Sequence, residues 1–122
     1  MKKNLLYFII LIALSTLFSA CSKVSDEDLR IAHKAYENGA LIIDVRTKEE
    51  YKEKHIQKAV NIALHNLEKY YKYIPQNKAI IVYCATGSRS SMATEFLIGK
   101  GRTVYDVATQ EDWERELPQI TK

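Results

Sequence analysis

The sequence AIIVYCATGSRS at residues 79–90 decides the fold, because an unbroken apolar run leads directly into a short polar loop. Such a run is typical of a strand buried on both faces of a parallel sheet. Residues 90–100 then predict a helix, which Gly101 ends. Ligands of open α/β sheets bind beyond the carboxyl ends of the strands, so the loop at residues 84–90 is the first candidate for a functional site.

The rest of the chain alternates short apolar runs with amphipathic segments. Three further strands are predicted, at residues 41–43, 59–62 and 103–107. Helices are predicted at residues 26–37, at 47–54 with a capping box that starts at Thr47, at 64–74 and at 112–116. The alternation predicts an α/β fold, a parallel sheet of four to five strands flanked by helices on both faces.

Length and charge exclude several classes of protein. A chain of 122 residues with 47% hydrophobic residues fits one domain with a targeting segment, and excludes a multidomain enzyme or a polytopic transporter. Apart from Lys2 and Lys3, the chain has 16 basic and 15 acidic residues, so its net charge is close to zero. We expect no nucleic-acid partner, because such a partner requires a clustered basic face.

Residues 1–20 have the layout of a secretory signal, with two lysines, an apolar run and a small-residue cleavage site. The run is short for a membrane span, which favours a cleaved signal over an uncleaved anchor. Phe18-Ser19-Ala20-Cys21 is similar to a bacterial lipobox, with phenylalanine in place of the usual leucine. This indicates lipidation of Cys21; the alternative is an incidental thiol in a released protein.

These features predict three regions: a signal at residues 1–20, a tether at 21–25 that begins with the lipidated Cys21, and a domain at 26–122. The protein would be exported and held by its lipid anchor at the periplasmic or cell-surface face of a bacterial membrane. With Cys21 acylated, Cys84 is the remaining cysteine, so no internal disulfide is expected.

Cys84 is the candidate nucleophile, because backbone N–H groups of a tight loop before a helix lower the pKa of a thiol. Gly87 permits a left-handed turn, Arg89 offers a planar fork for an anion, and Ser88 and Ser90 can donate hydrogen bonds to the sulfur. Ser90 can also cap the helix. Ala85 and Thr86 complete the predicted substrate-binding loop. The alternative is a buried, inert cysteine followed by an ordinary turn.

Four motifs in order make residues 41–118 resemble a single-domain rhodanese, of the thiosulfate sulfurtransferase family. LIIDVR at 41–46 resembles the family's LIDVR strand, and EEY at 49–51 followed by HI at 55–56 and AVNI at 59–62 resembles EEY…GHIPGAINI. Residues 79–91 resemble IVVYCxxGxRS, and Trp113 with Leu117-Pro118 resembles the closing motif. Glycines of the family are missing at residues 54, 58 and 108–109, so we expect the local turns to be rebuilt there.

The resemblance implies sulfur transfer through a persulfide on Cys84, with Arg89 binding the sulfonate of a donor such as thiosulfate. The acceptor would be a thiol or a cyanide-like nucleophile, and no metal or cofactor is expected. Related phosphatases and arsenate reductases have a seven-residue loop, whereas residues 84–89 number six, which favours sulfur over phosphate. Two alternatives stay open: a non-catalytic module that carries or senses sulfane sulfur or docks a partner, and a phosphatase or arsenate reductase.

Asp44 and Arg46 follow the strand at residues 41–43 and have two interpretations. In one they support anion binding at the site; in the other, which the family pattern favours, they form a salt bridge or loop anchor. His55 is expected to be structural, and Trp113 to lie in the core. The tyrosines at 70, 71 and 73 are expected to cover a contact between helix and sheet, with any exposed remainder marking a partner surface.

Overall fold

The computed structural model describes residues 24–121. The predicted signal at residues 1–20 and the predicted lipidation of Cys21 lie outside these residues. No helix within residues 24–121 is both long and apolar enough to cross a membrane.

Within residues 24–121, four strands form one parallel sheet: β1 at Leu41–Asp44, β2 at Val60–Asn61, β3 at Ile80–Cys84 and β4 at Val104–Thr109. Their order in the sheet is β2-β1-β3-β4. The helices are α1 at Asp26–Glu37, α2 at Lys48–Glu53, α3 at Leu67–Tyr70, α4 at Ser88–Gly99 and α5 at Gln110–Glu114. Every residue of β3 is buried, as its apolar run predicts.

Helices cover both faces of the sheet, which confirms the predicted fold class. Leu29 of α1 and Trp113 of α5 pack against Ile42 and Tyr83 on one face. On the other face, α3 and α4 pack their Leu67, Ala93 and Leu97 against Ile43 and Val82. β3 is an interior strand of the sheet, and the loop to α4 begins at its carboxyl end.

The single helix predicted at residues 64–74 is wrong. The segment consists of a 3₁₀ turn at Leu64–Asn66, the short helix α3 and a second 3₁₀ turn at Tyr71–Tyr73. Aromatic and asparagine residues are weak helix formers, and tight turns with three residues per turn still direct Leu67 and Ile74 into the core. Tyr73 is left 81% exposed.

Several predicted boundaries also differ. The helix predicted at 112–116 lies at Gln110–Glu114, and the strand predicted at 103–107 lies at Val104–Thr109. The strand predicted at 59–62 is limited to Val60–Asn61 at the edge of the sheet. The helix predicted from Ser90 begins at Ser88, because Gly87, with φ of 95°, is its N-cap. Ser90 is therefore inside the first turn and does not cap the helix.

Two of the turns that lack the family's glycines have a left-handed backbone in this chain. Lys58 and Ala108 have positive φ values of 68° and 59° although neither is glycine. Lys58 lies in a turn closed by a hydrogen bond from the Ala59 amide to the Ile56 carbonyl at 3.0 Å. The backbone is therefore left-handed at both places, a conformation that has a steric cost for any residue with a Cβ.

Candidate functional site

The Cys84 sulfur lies at the carboxyl end of β3, inside a ring of backbone amides. Its Sγ accepts hydrogen bonds from the N–H of Gly87 at 3.0 Å and from the N–H of Ser90 at 3.3 Å. The residue is 1% exposed. Backbone amides directed at one sulfur stabilise a negative charge on it, and the first turn of α4 adds to their effect.

The pKa of Cys84 is lowered, in the direction that the sequence predicts. Burial is the largest single influence and raises the pKa, because a thiolate loses its hydration. The amide and hydroxyl of Ser90 and the amides of Thr86 and Gly87 together outweigh it. The hydrogen-bond donors of the loop are thus the main cause of the lowered pKa.

Gly87 allows the loop to close. Its φ is 95°, and a Cβ added to it would lie 3.3 Å from the Cβ of Ala108. A side chain at residue 87 would therefore be strained by its backbone and crowded by the end of β4. This close approach brings β4 against the loop.

The loop side chains divide into exposed and buried ones. Ala85, Thr86 and Ser88 are exposed, whereas Ser90 is buried. The Ser90 hydroxyl donates to the carbonyl oxygen of Gly87 at 3.1 Å, which holds the loop closed. The sequence predicted donation from Ser88 and Ser90 to the sulfur. The hydrogen bonds to Sγ come from the backbone amides of Gly87 and Ser90, and the Ser90 hydroxyl also lowers the pKa of Cys84.

Arg89 is bound by a carboxylate that the sequence did not single out as part of the site. Its two terminal nitrogens contact the two carboxylate oxygens of Glu50 at 2.7 and 2.8 Å. The pairing, together with the amide of Thr47, lowers the pKa of Glu50 to about 2. The guanidinium therefore ties α4 to α2 in this structure. The sequence marks Glu50 only through the EEY motif at 49–51 and the capping box that it forms with Thr47, neither of which points to Arg89.

Asp44 and Arg46 form a compact ion pair one strand away from Cys84. Asp44 is fully buried, and its Oδ2 lies 2.7 Å from a terminal nitrogen of Arg46. The Tyr83 hydroxyl donates to the same oxygen at 2.6 Å and accepts from the Ile56 amide at 3.1 Å. The hydrogen bond with Asp44 raises the pKa of Arg46. This is the kind of contact that the structural interpretation of the two residues expects.

Aromatic and histidine side chains near the motifs have packing partners. Trp113 is 7% exposed and stacks on His33 with ring centroids 3.8 Å apart. His55 stacks on Tyr51 at 3.8 Å, and its Nδ1 lies 2.7 Å from the Tyr51 carbonyl oxygen. Both residues have the structural positions that the sequence indicates.

The surface has a groove on the β1–β2 side of the sheet and a cavity beside the loop. A groove of about 840 Å³ follows β1 and β2 and includes the exposed Tyr70 and Tyr73. A smaller cavity of about 450 Å³ lies directly beside the loop and is lined by Thr86, Gly87 and Asp106 among others. Sequence reasoning missed Asp106, because its proximity to the loop depends on the pairing of β4 with β3.

Comparison with known proteins gives a consistent result. The family model of the rhodanese-like domain matches residues 28–110. Thiosulfate sulfurtransferase GlpE of Pseudomonas syringae pv. syringae (strain B728a) is 31% identical over 87 residues, which cover 70% of this chain and 82% of GlpE. A probable molybdopterin-synthase adenylyltransferase of Porphyra purpurea is 40% identical over 73 residues; the match covers 57% of this chain and 19% of that larger protein.

A solved structure agrees with these matches. The crystal structure of a rhodanese-related protein from Thermoplasma volcanium superimposes with a TM-score of 0.62 at 31% identity. The similarity covers 79% of this chain and 94% of that one.

Proposed function

This chain belongs to the rhodanese-like domain family, and from that premise we propose that it is a sulfurtransferase that works through a persulfide on Cys84. Its similarity to a sulfurtransferase supports sulfur transfer in general. The observation that carries the proposal is the ring of amides around the buried Cys84 sulfur. Such a ring stabilises the thiolate before the reaction and the persulfide anion after it.

The proposed reaction has two displacements. The Cys84 thiolate attacks the outer sulfur of thiosulfate, the S–S bond of the donor breaks, and sulfite leaves with the bonding electron pair. The enzyme then carries a Cys84 persulfide. An acceptor thiolate attacks the outer sulfur, the S–S bond to Cys84 breaks, and the thiolate of Cys84 is restored. No net oxidation or reduction of the protein occurs over one cycle.

Arg89 has a less direct part in this scheme than the sequence suggests. Since both terminal nitrogens are bound by Glu50, the guanidinium must exchange partners before it can clamp a donor sulfonate. We therefore assign donor activation mainly to the backbone amides and the helix start.

The experiment is an intact-mass measurement after incubation with thiosulfate. We expect the wild-type protein to gain the mass of one sulfur atom and Cys84→Ser to gain none. Persistence of the adduct in Cys84→Ser, or its absence from the wild type, would refute the proposal. A stable adduct without turnover on thiols or cyanide would identify a carrier or sensor instead. Hydrolysis of an aryl phosphate that depends on Cys84 would indicate a phosphatase.

We also propose that the protein is exported and anchored by lipid on Cys21, on the strength of the signal-like residues 1–20 and the lipobox-like cleavage site. Val24 lines the cavity beside the catalytic loop. Three residues of chain span at most about 11 Å, so an anchor at Cys21 would hold the loop near the membrane surface. Acyl labelling that is unchanged in Cys21→Ala, or processing that is insensitive to globomycin, would refute the anchor.

A further inference from the structure

Arg89 is the cationic side chain of the loop at residues 84–90. The next residue, Ser90, donates its backbone N–H to the Cys84 sulfur at 3.3 Å. The pKa of Arg89 is raised, chiefly by its hydrogen bond with Glu50 and to a lesser extent by the charges of Glu50 and Cys84. The charge of the guanidinium therefore acts on the sulfur, and on an anion that approaches the sulfur.

Glu50 cancels this charge. Its two carboxylate oxygens bind the terminal nitrogens of Arg89 at 2.7 and 2.8 Å, and its Oε2 also accepts from the Thr47 amide at 2.8 Å. The hydrogen bond from Arg89 is the largest of the causes that lower the pKa of Glu50 to about 2. The carboxylate is thus ionised at neutral pH, and the pair as a whole adds no net charge to the site.

Arg46, the other arginine at this edge of the sheet, is also paired. One of its terminal nitrogens lies 2.7 Å from Oδ2 of Asp44 and donates to the Lys54 carbonyl oxygen at 2.6 Å. The arginines that follow β1 and β3 are therefore both neutralised by carboxylates. A donor with two negative charges consequently depends on the backbone amides of the loop, which have only partial charges.

We propose that Glu50 is a positioning residue that determines donor specificity: by holding and neutralising Arg89, it favours sulfur donors with one negative charge over doubly charged thiosulfate. The inference rests on the proposed sulfurtransferase function and names its donor class, the singly charged thiosulfonates and persulfides. Thiosulfate remains a donor, at an efficiency that the pair lowers. If the pair opens, the Glu50 carboxylate stays at the start of α2 and repels a dianion more than a monoanion.

Sulfur transfer from a singly charged thiosulfonate balances as it does for thiosulfate. The Cys84 thiolate attacks the outer sulfur of methanethiosulfonate, and a new S–S bond forms on Cys84. The S–S bond of the donor breaks, and methanesulfinate leaves with the bonding electron pair. No proton, oxidant or reductant takes part. The two donors therefore differ in charge and not in the type of reaction.

The test compares thiosulfate with methanethiosulfonate as donors, with cyanide as the common acceptor. For Glu50→Gln we expect the ratio of kcat/KM for thiosulfate to that for methanethiosulfonate to rise roughly fivefold, because the freed charge of Arg89 attracts the dianion more strongly. Glutamine keeps a carbonyl oxygen for the Thr47 amide, so the start of α2 is preserved. Both values come from one preparation, so the ratio does not depend on the folded fraction.

Two controls assign the effect to the pair. Glu49→Gln removes the same charge from the adjacent, exposed position, which forms no salt bridge within residues 24–121, and the ratio should keep its wild-type value. The double variant Glu50→Gln with Arg89→Gln removes the pair without a change in net charge, so its ratio should return close to the wild-type value. An unchanged ratio in Glu50→Gln, an equal rise in Glu49→Gln, or a rise that persists in the double variant would overturn the inference.

A separate measurement distinguishes this inference from the proposed function. The intact mass of the wild-type protein after incubation with each donor shows whether a persulfide forms. A persulfide from neither donor would refute the proposed function, and this inference with it. A persulfide from both donors, together with a ratio that Glu50→Gln leaves unchanged, would overturn this inference alone.

Discussion

The Cys84 thiol is subject to two opposed effects, and the residue's chemistry depends on which prevails. Burial raises its pKa, whereas the amides of Thr86 and Gly87 and both donors of Ser90 lower it, with a net decrease. The balance is a property of the folded loop. In the unfolded chain none of these amides is held near the sulfur, so an ordinary thiol is expected there.

The lowered pKa predicts the pH dependence of alkylation. In a Cys21→Ala background, the alkylation rate of Cys84 by iodoacetamide should reach half its maximum below the roughly 8.5 of an ordinary thiol. The same protein in urea should titrate at the ordinary value. Because the folded pKa is the lower one, the thiolate stabilises the fold above the unfolded pKa, and this stabilisation is lost as pH falls through the folded pKa. Coincident folded and unfolded profiles would contradict the prediction.

The conformation of Gly87 predicts that a side chain at this position lowers both stability and activity. Gly87→Ala places a Cβ 3.3 Å from that of Ala108, on a backbone with φ of 95°. We expect a loss of about 1–2 kcal/mol in the free energy of unfolding and a lower persulfide yield, measured by urea titration and intact mass. Gly99→Ala is the control: it has no positive φ and nothing within 4 Å, so it should be neutral or stabilising. Equal effects of the two substitutions would argue against a special conformation at Gly87.

At the scale of elements, local patterns predict some features well and others not at all. The capping box at Thr47 forms as predicted, because both of its partners lie within one turn. The apolar run at residues 80–83 likewise predicts a buried strand without reference to distant contacts, and the strand is buried throughout. The prediction of one helix at residues 64–74 is wrong, because the same apolar spacing is compatible with 3₁₀ turns and with an α-helix.

Contacts between distant elements could not be predicted from local patterns. Glu50 meets Arg89 across 39 positions of sequence, and Asp106 reaches the loop only through the register that pairs β4 with β3. The candidate loop itself was identifiable because its residues are contiguous. Its neighbours were not, because they depend on the packing of α2 and β4 around it.

The turn between α2 and β2 carries a strain that a substitution should relieve. Lys58 has φ of 68°, a conformation in which glycine avoids the steric cost of a Cβ. We expect Lys58→Gly to raise the free energy of unfolding by about 0.5–1 kcal/mol in urea titration. Gln57→Gly, in the same turn but without positive φ, should give no such gain. A loss of stability in Lys58→Gly would show that the lysine side chain contributes more than its backbone costs.

At the scale of the whole molecule, the buried network around Asp44 joins the two halves of the sheet. Asp44 on β1 binds Arg46 and the hydroxyl of Tyr83 on β3, and that hydroxyl also receives the amide of Ile56 before β2. The carboxylate of Asp44, which has no exposure to solvent, therefore links β1 to β3 directly and to the segment before β2 through the Tyr83 hydroxyl. Removing its charge leaves a partly buried guanidinium without its partner.

This arrangement predicts a global rather than a local effect of Asp44→Asn. We expect a loss of about 3–5 kcal/mol in the free energy of unfolding, the cost of breaking a buried ion pair. Tyr83→Phe, which removes one hydrogen bond to the same oxygen, should cost about 1–2 kcal/mol. In the fraction of Asp44→Asn that remains folded, persulfide formation on Cys84 should proceed at the wild-type rate, because Asp44 makes no hydrogen bond to the Cys84 sulfur. A rate that falls much more than the folded fraction would instead assign Asp44 and Arg46 to donor binding.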